Sequence, residues 1–194
     1  MSDIATVSWL ELLVKLLVFT VVSIIFAYLS RASLRKPRSH GFYRFFAWES
    51  ILGLFLLNVD GWFDDPLSWH QLISWPLLVI SVFLIAQAVV LLHRMGKPDD
   101  LRSDVPLYGL EKTTALVESG VYRYIRHPMY SSLLCLAWGI FFKDPSWLGG
   151  LLVVTATIFL VLTAIAEENE NIRYFGPVYQ QYMQRTKRFI PIVF

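Results

Sequence analysis

Two short stretches of this sequence hold residue types suited to chemistry at a lipid–water boundary. The first is Arg126-His127-Pro128-Met129-Tyr130, which closes the polar segment from Leu107 to Tyr130. Pro128 suits the first turn of a helix, where its missing N–H has no intrahelical partner to lose. The free N–H groups and positive dipole end of that helix would lie beside Arg126 and His127, a setting that favours an anion such as a cofactor carboxylate. An interfacial anchor is the other reading, since Arg and Tyr at a helix end commonly snorkel. The second stretch is Glu167-Glu168-Asn169-Glu170, at the end of a long apolar run. Acidic residues at a helix C-terminus oppose the dipole. A partner cation is therefore expected: Arg126, Arg173 or a positively charged ligand. A helix continuing into solvent, with these carboxylates on a wet face, is the alternative.

Other chemistries lack their residues. His40, His70, His93 and His127 are scattered without HExxH spacing, and there is no GxSxG elbow, P-loop or GxGxxG fingerprint. No metal is expected. The one cysteine, Cys135, lies in an apolar run, so neither a disulfide nor a cysteine metal cluster can form within the chain. A net charge of +2 gives no footprint for nucleic acid. Glu49 and Gln87, polar within apolar runs, are functional candidates by position, but no inverted repeat of a transporter accompanies them.

The elements that must position these residues are membrane helices. Of 194 residues 56% are hydrophobic and 16% charged, with mean hydropathy +0.52. Soluble domains carry about a quarter charged residues, so a bilayer is the natural solvent. Apolar stretches at Leu10–Leu29, Phe45–Val59, Ile73–Leu92, Tyr130–Phe142 and Trp147–Ala166 predict five spans in an all-α polytopic fold. The first lacks a basic leader and is too long for a signal h-region, so it reads as a retained helix. Lys143-Asp144-Pro145-Ser146 predicts a tight hairpin between the last two. Ile172, Phe175, Val178, Tyr179 and Tyr182 have the spacing of an amphipathic surface helix, interrupted at Gly176-Pro177.

Charge orients the spans. Arg31, Arg35, Lys36, Arg38 and Arg44 follow the first span, Asp60, Asp64 and Asp65 the second, and Arg94 and Lys97 the third. Arg173, Arg185, Lys187 and Arg188 follow the fifth. Basic loops stay in the cytoplasm, so the N-terminus is expected outside and both chemical stretches at the cytoplasmic face. Trp48, Trp62, Trp69, Trp75 and Trp147 sit near span ends, as in an aromatic belt. The chain reads as one integral membrane domain, with N-terminal helices in 1–106 and the binding and catalytic half in 107–194.

From Thr114 to Tyr130 (TALVESGVYRYIRHPMY), through the hairpin and on to AEENENIRYFGPVYQQYMQRTKRFIP, the sequence resembles the isoprenylcysteine carboxyl methyltransferase family. The likeness covers about the last 85 residues. RHPxY and the terminal RF-IP are shared more widely, with phospholipid N-methyltransferases and sterol-type reductases. SGVY and the Glu pair before FGxxYxxY narrow the match. The resemblance implies S-adenosylmethionine as cofactor, held by Thr114, Ala115, Leu116, Val117, Tyr122, His127, Pro128, Met129 and Tyr130. It implies Glu167 as the acidic residue beside the acceptor; Arg126, beside His127 at the helix start, is taken as a second catalytic residue from its position rather than from the resemblance. The acceptor would be a lipophilic substrate entering from the bilayer, such as the carboxylate of a C-terminal isoprenylcysteine. One departure stands out. The family's substrate-binding Arg, four residues before the acid, is Thr163 here, so another Arg would have to take its place. A phospholipid amine methyltransferase, a sterol-type reductase, and a non-catalytic scaffold or transporter are the alternatives; for an amine acceptor Glu167 would be the candidate base.

Five spans place the two ends of the chain on opposite sides of the membrane. Cysteine-accessibility labelling at Ser2 and Phe194 should find Ser2 outside and Phe194 in the cytoplasm; both ends on one side would exclude an odd number of spans.

Overall fold

A computed structural model of the chain describes residues 2–96 and 113–191, with side chains from Ser8 onward. Lys97, Lys112, Phe194 and the expected 106/107 boundary lie outside the described residues. Among these residues the regular elements are all helices, and an isolated parallel bridge joins Ile125 to Lys187. In chain order the helices are α1 (Ser2–Leu29), α2 (Arg31–Leu34), α3 (His40–Asn58), α4 (Trp69–Met95), α5 (Pro128–Phe141), α6 (Trp147–Phe175) and α7 (Pro177–Arg185). A 3-10 turn, Gly120–Arg123, precedes α5.

Each of the five expected apolar stretches is helical, but they are unequal. Ser8–Leu29, Trp69–Met95 and Trp147–Phe175 are long and apolar enough to cross a membrane. α5 has 14 residues and so rises about 21 Å, short of the ~30 Å hydrocarbon core. α3 holds Arg44 and Glu49 inside its run. Both shorter helices are packed between longer ones. α3 lies along α6, α4 along α5, and α5 against α6. Their small residues let the backbones approach: Ala47, Ala137, Ala156 and Ala164 are fully buried among Leu54, Ile140, Val153 and Leu160. Glu49, within α3, accepts a hydrogen bond from Ser23 of α1 at 2.6 Å. Outward-facing Leu13, Ile24, Val79 and Val82 are more than half exposed. In lipid, that exposure carries no hydrophobic penalty.

The C-terminal end of α5 shows how the bundle closes on the side away from the two chemical stretches. The last carbonyls of a helix have no intrahelical donor, and here neighbouring side chains supply them. Asn58 Nδ2 donates to Ile140 O at 2.8 Å, Gln71 Nε2 to Lys143 O at 3.3 Å, and His70 Nδ1 lies 3.0 Å from Phe142 O. Lys143 itself is buried, donating to Gln71 Oε1 at 2.9 Å with its ammonium 3.2 Å from the centroid of the Trp75 ring. Ser146 caps α6 by accepting from Gly149 N at 3.1 Å. The predicted hairpin is thereby built.

α6 corrects one expectation. It does not end near Ala166 but continues for nine more residues to Phe175, so Glu167, Glu168 and Glu170 lie inside it. The dipole acts mainly within the last turn and barely opposes Glu167. The helix stops at Gly176, whose φ of 64° and ψ of −138° suit only glycine, and Pro177 starts α7 at its first position. A Cβ on Gly176 would meet nothing within 4 Å. Gly176→Ala therefore isolates backbone strain, and thermal unfolding in detergent should show a loss of about 1–3 kcal/mol. An unchanged midpoint would mean that the turn relaxes without penalty.

Candidate active site

The two chemical stretches meet. The segment Tyr124–His127 runs beside Lys187–Arg188, pairing as a short parallel bridge. Lys187 N donates to Tyr124 O at 3.0 Å, Arg126 N to Lys187 O at 2.8 Å and His127 N to Arg188 O at 3.2 Å. Ser131 Oγ, in the first turn of α5, donates to Phe189 O at 2.9 Å. Tyr182 of α7 donates to Tyr122 O at 2.7 Å. The terminal RF-IP stretch thus holds the RHPMY loop, and α7 holds the 3-10 turn.

Glu168 is the knot of this arrangement. It is 4% exposed. Arg188 grips it with two bonds, Nη2 to Oε2 at 2.7 Å and Nε to Oε1 at 3.1 Å, and Arg126 Nε donates to Oε1 at 2.9 Å. Such forked, charge-assisted bonds repay the burial of a carboxylate. The rest of the Arg126 guanidinium bonds the carbonyls of Met183, at 3.2 Å, and Thr186. The cation expected for the acidic stretch is therefore present, shared between Arg126 and Arg188. Glu170 is held separately: it accepts from His40 N at 3.1 Å and pairs with His40 Nδ1, tying α6 to the start of α3.

Glu167 is placed differently. Its side chain is 26% exposed, and its one ion-pair approach among the described residues is His127 Nδ1 at 3.8 Å, beyond hydrogen-bond reach. It faces a cavity of about 90 Å³ whose walls include Ala115, Leu116, Val117, Tyr122, Arg126, His127, Pro128, Met129 and Tyr130. Ten of the twelve residues singled out in the sequence thus line one cleft. The other two do not. Thr114 N bonds Gly96 O at 3.1 Å, anchoring the strand-like entry to the exit of α4. Thr163 is fully buried, its hydroxyl donating to Phe159 O at 2.7 Å, so it presents no substrate-binding group to the cleft.

The cleft also has walls that the sequence reading left out: Leu92, Thr113, Glu170, Asn171, Phe175, Tyr179 and Tyr182. Three of them lie on the Glu167 face of α6 by helical spacing, 170, 171 and 175, a signal that becomes readable once α6 is known to run to Phe175. Burial and then the Glu167 carboxylate push the phenols of Tyr122 and Tyr179 above their usual range, so both stay neutral. No group of three or more His, Cys, Asp or Glu among the described residues is placed to hold a metal ion.

The terminal stretch, the RHPMY loop and the acidic helix thus enclose a small cleft at one end of a helical fold with three helices long and apolar enough to cross a membrane. A family model described as phospholipid methyltransferase matches residues 70–178, and the chain belongs to that family. The resemblance of its C-terminal half to isoprenylcysteine carboxyl methyltransferases lies within the same group. Curated relatives include a methanethiol S-methyltransferase of Pseudomonas deceptionensis, 28% identical over 145 residues covering 74% of this chain and 48% of that protein. Methanethiol S-methyltransferase 1 of Bradyrhizobium diazoefficiens is 29% identical over 170 residues, 80% of this chain and 55% of the relative. The chain thus spans about half the length of the curated relatives it matches. No solved structure matches it significantly.

The two neighbouring carboxylates should separate on mutation. Glu168→Ala strands two arginines and should cost about 3–5 kcal/mol, whereas Glu167→Gln, partly exposed and without a hydrogen bond, should stay within about 0.5 kcal/mol of the parent. Thermal unfolding of both variants in one detergent checks this; equal losses would assign Glu167 a structural role.

Proposed function

We propose that this chain is an S-adenosylmethionine-dependent methyltransferase working at the cytoplasmic membrane face. The observation that carries the reading is Glu167, a carboxylate facing a cleft with no cation hydrogen-bonded to it among the described residues, ringed by the neutral phenols of Tyr122 and Tyr179. A sulfonium finds both a counter-charge and electron-rich rings there. The donor would be held by Glu167 at its positive centre. The first turn of α5, Pro128–Tyr130, would take its carboxylate, and Leu116, Val117 and Leu92 its apolar parts. The donor supplies a methyl group on a positively charged sulfur, ready for displacement. The protein's own share is to bind both partners, align them and exclude water, which in favourable systems is worth up to ~7–11 kcal/mol.

A lipophilic acceptor entering from the bilayer fits the surroundings. Between α4, α5, α6 and the tail runs an apolar groove of about 680 Å³, with Leu84, Leu134, Trp138 and Val161 on its walls. It lies against Ile125 and Phe189, which border the cleft loop. The resemblance implies the carboxylate of an isoprenylcysteine as acceptor. The charges favour a second reading. Thr163 stands where that family has a cation, Arg126 and Arg188 are bonded to Glu168, and among the described residues the carboxylates lining the cleft are Glu167 and Glu170. An anionic acceptor would meet like charge; a neutral thiol would not. The relatives named as methanethiol S-methyltransferases agree with a thiol.

Calorimetry of the full chain in nanodiscs should show binding of S-adenosylhomocysteine and no heat with reduced nicotinamide cofactor. Heat only with the nicotinamide would replace the reading with a reductase. Radiolabelled methyl transfer to a thiol and to an isoprenylcysteine then ranks the acceptors, and faster labelling of the isoprenylcysteine carboxylate would reverse the order argued from charge.

A further inference from the structure

A thiol acceptor, unlike a carboxylate, must lose a proton, because the thiolate is the nucleophile. The residues that surround His127 supply a route for it. His127 is 4% exposed, and its ring is held by two aromatic neighbours and by Glu168. Tyr130 stacks on it at 5.5 Å between centroids with an 18° tilt, and Phe189 lies against it at 6.2 Å. Its Nε2 lies 3.3 Å from Glu168 Oε1. Glu168 already accepts from Arg126 and Arg188, so its carboxylate is an acceptor toward the imidazole and Nε2 must carry the hydrogen. In a neutral imidazole the other nitrogen, Nδ1, then bears a lone pair. That nitrogen faces the cleft side, 3.8 Å from Glu167 Oε2.

Resting on the methyl-transfer reading, we infer that His127 is the general base for a thiol acceptor, with Glu168 as the positioning residue that fixes its tautomer. The S–H bond breaks and its proton passes to Nδ1. The sulfur forms a bond to the donor methyl as the carbon–sulfonium bond breaks, whose electron pair stays on the departing sulfur. A thioether, neutral S-adenosylhomocysteine and an imidazolium result. The unit positive charge that enters on the donor leaves on His127, and Glu167 lies beside it at the end of the step. Charge moves between groups that one preorganised carboxylate serves, so little reorganisation is needed. Glu168, backed by two arginines, orients the ring as a carboxylate orients the histidine of a hydrolase triad. Among the described residues, the charged and titratable groups facing His127 are Glu167 and Glu168 from α6 and Tyr130 from α5, with Arg126 and Arg188 behind Glu168.

Two measurements on the full chain in nanodiscs test this. First, histidine-labelled nitrogen NMR, with the His127 signal assigned by its loss in His127→Gln, should show the tautomer protonated at Nε2 and bare at Nδ1. In Glu168→Gln, with folding checked by its unfolding midpoint, the two tautomers should mix. Second, methyl transfer is timed for His127→Gln with 1-butanethiol, protonated at neutral pH, and with 4-nitrothiophenol, already ionised there. A general base contributes roughly 10²–10⁴-fold, so the loss with butanethiol should exceed the loss with nitrothiophenol at least tenfold. A residue that only binds or shapes the cleft would slow both alike. Equal losses, or a wild-type His127 protonated at Nδ1, would overturn the assignment. A wild-type protein that binds no S-adenosylhomocysteine overturns the methyltransferase reading itself, and this one with it.

Discussion

Glu168 is a carboxylate that water scarcely reaches, and the arrangement around the cleft depends on keeping it charged. An isolated buried carboxylate is too costly to persist. Two arginines from different segments converge on it, Arg126 from the loop before α5 and Arg188 from the terminal stretch. Because these two cations come from residues 62 positions apart in the chain (188 − 126), neutralising one side chain also determines where the loop and the tail lie. The backbone pairing of Tyr124–His127 with Lys187–Arg188 follows, and with it the position of the first turn of α5.

The same constraint separates the two neighbouring acids by role. On one helix, adjacent residues point about 100° apart, so Glu168 turned toward the arginines leaves Glu167 turned toward the cleft. Glu170 is carried to a third direction, where the start of α3 holds it through His40. Three acids within four positions thus do three different things: one ties the loop to the tail, one ties α6 to α3, and one stands over the cleft with no hydrogen-bonded cation among the described residues. Only the last is positioned to meet a cationic ligand. The first two keep that position rigid, and a site of this kind works only when its supporting groups are locked.

Much of the rest is lipid physics. The long helices α1, α4 and α6 present bulky apolar faces outward, and small residues inward let α3 and α5 sit between them although neither is as long and apolar. Buried polar groups collect at the two ends of α5. At its C-terminal end Asn58, Gln71 and His70 approach or donate to carbonyls that a helix leaves open. At its N-terminal end His127, Pro128, Met129 and Tyr130 line the cleft, and Ser131 N donates back to His127 O. One end is closed by the protein and the other faces the proposed ligand.

Composition and periodicity determined the solvent of this protein, the places of its apolar helices, the hairpin at Lys143–Ser146 and the need of the acidic stretch for a cation. Each of these follows from side-chain chemistry repeated along a short stretch. Motif resemblance located most of the cleft walls for the same reason, since Ala115 to Val117 and Tyr122 to Tyr130 are close in the chain. What the sequence could not determine was which acid pairs with which cation. Arg126 was eligible for a catalytic role, and Glu167 and Glu168 were interchangeable as strings of letters. Their division depends on the rotation of α6 about its axis and on its extension to Phe175, both set by packing against α3 and α5. Thr163 shows the same limit: one turn before Glu167 in sequence, it faces the core, its hydroxyl bonded to the turn behind it. Tyr179 and Tyr182 reach the cleft only because Gly176 adopts a backbone conformation that swings α7 back over it. A direction around a helix, and a reversal at a glycine, are properties of the packed chain, and only the tertiary structure decided them.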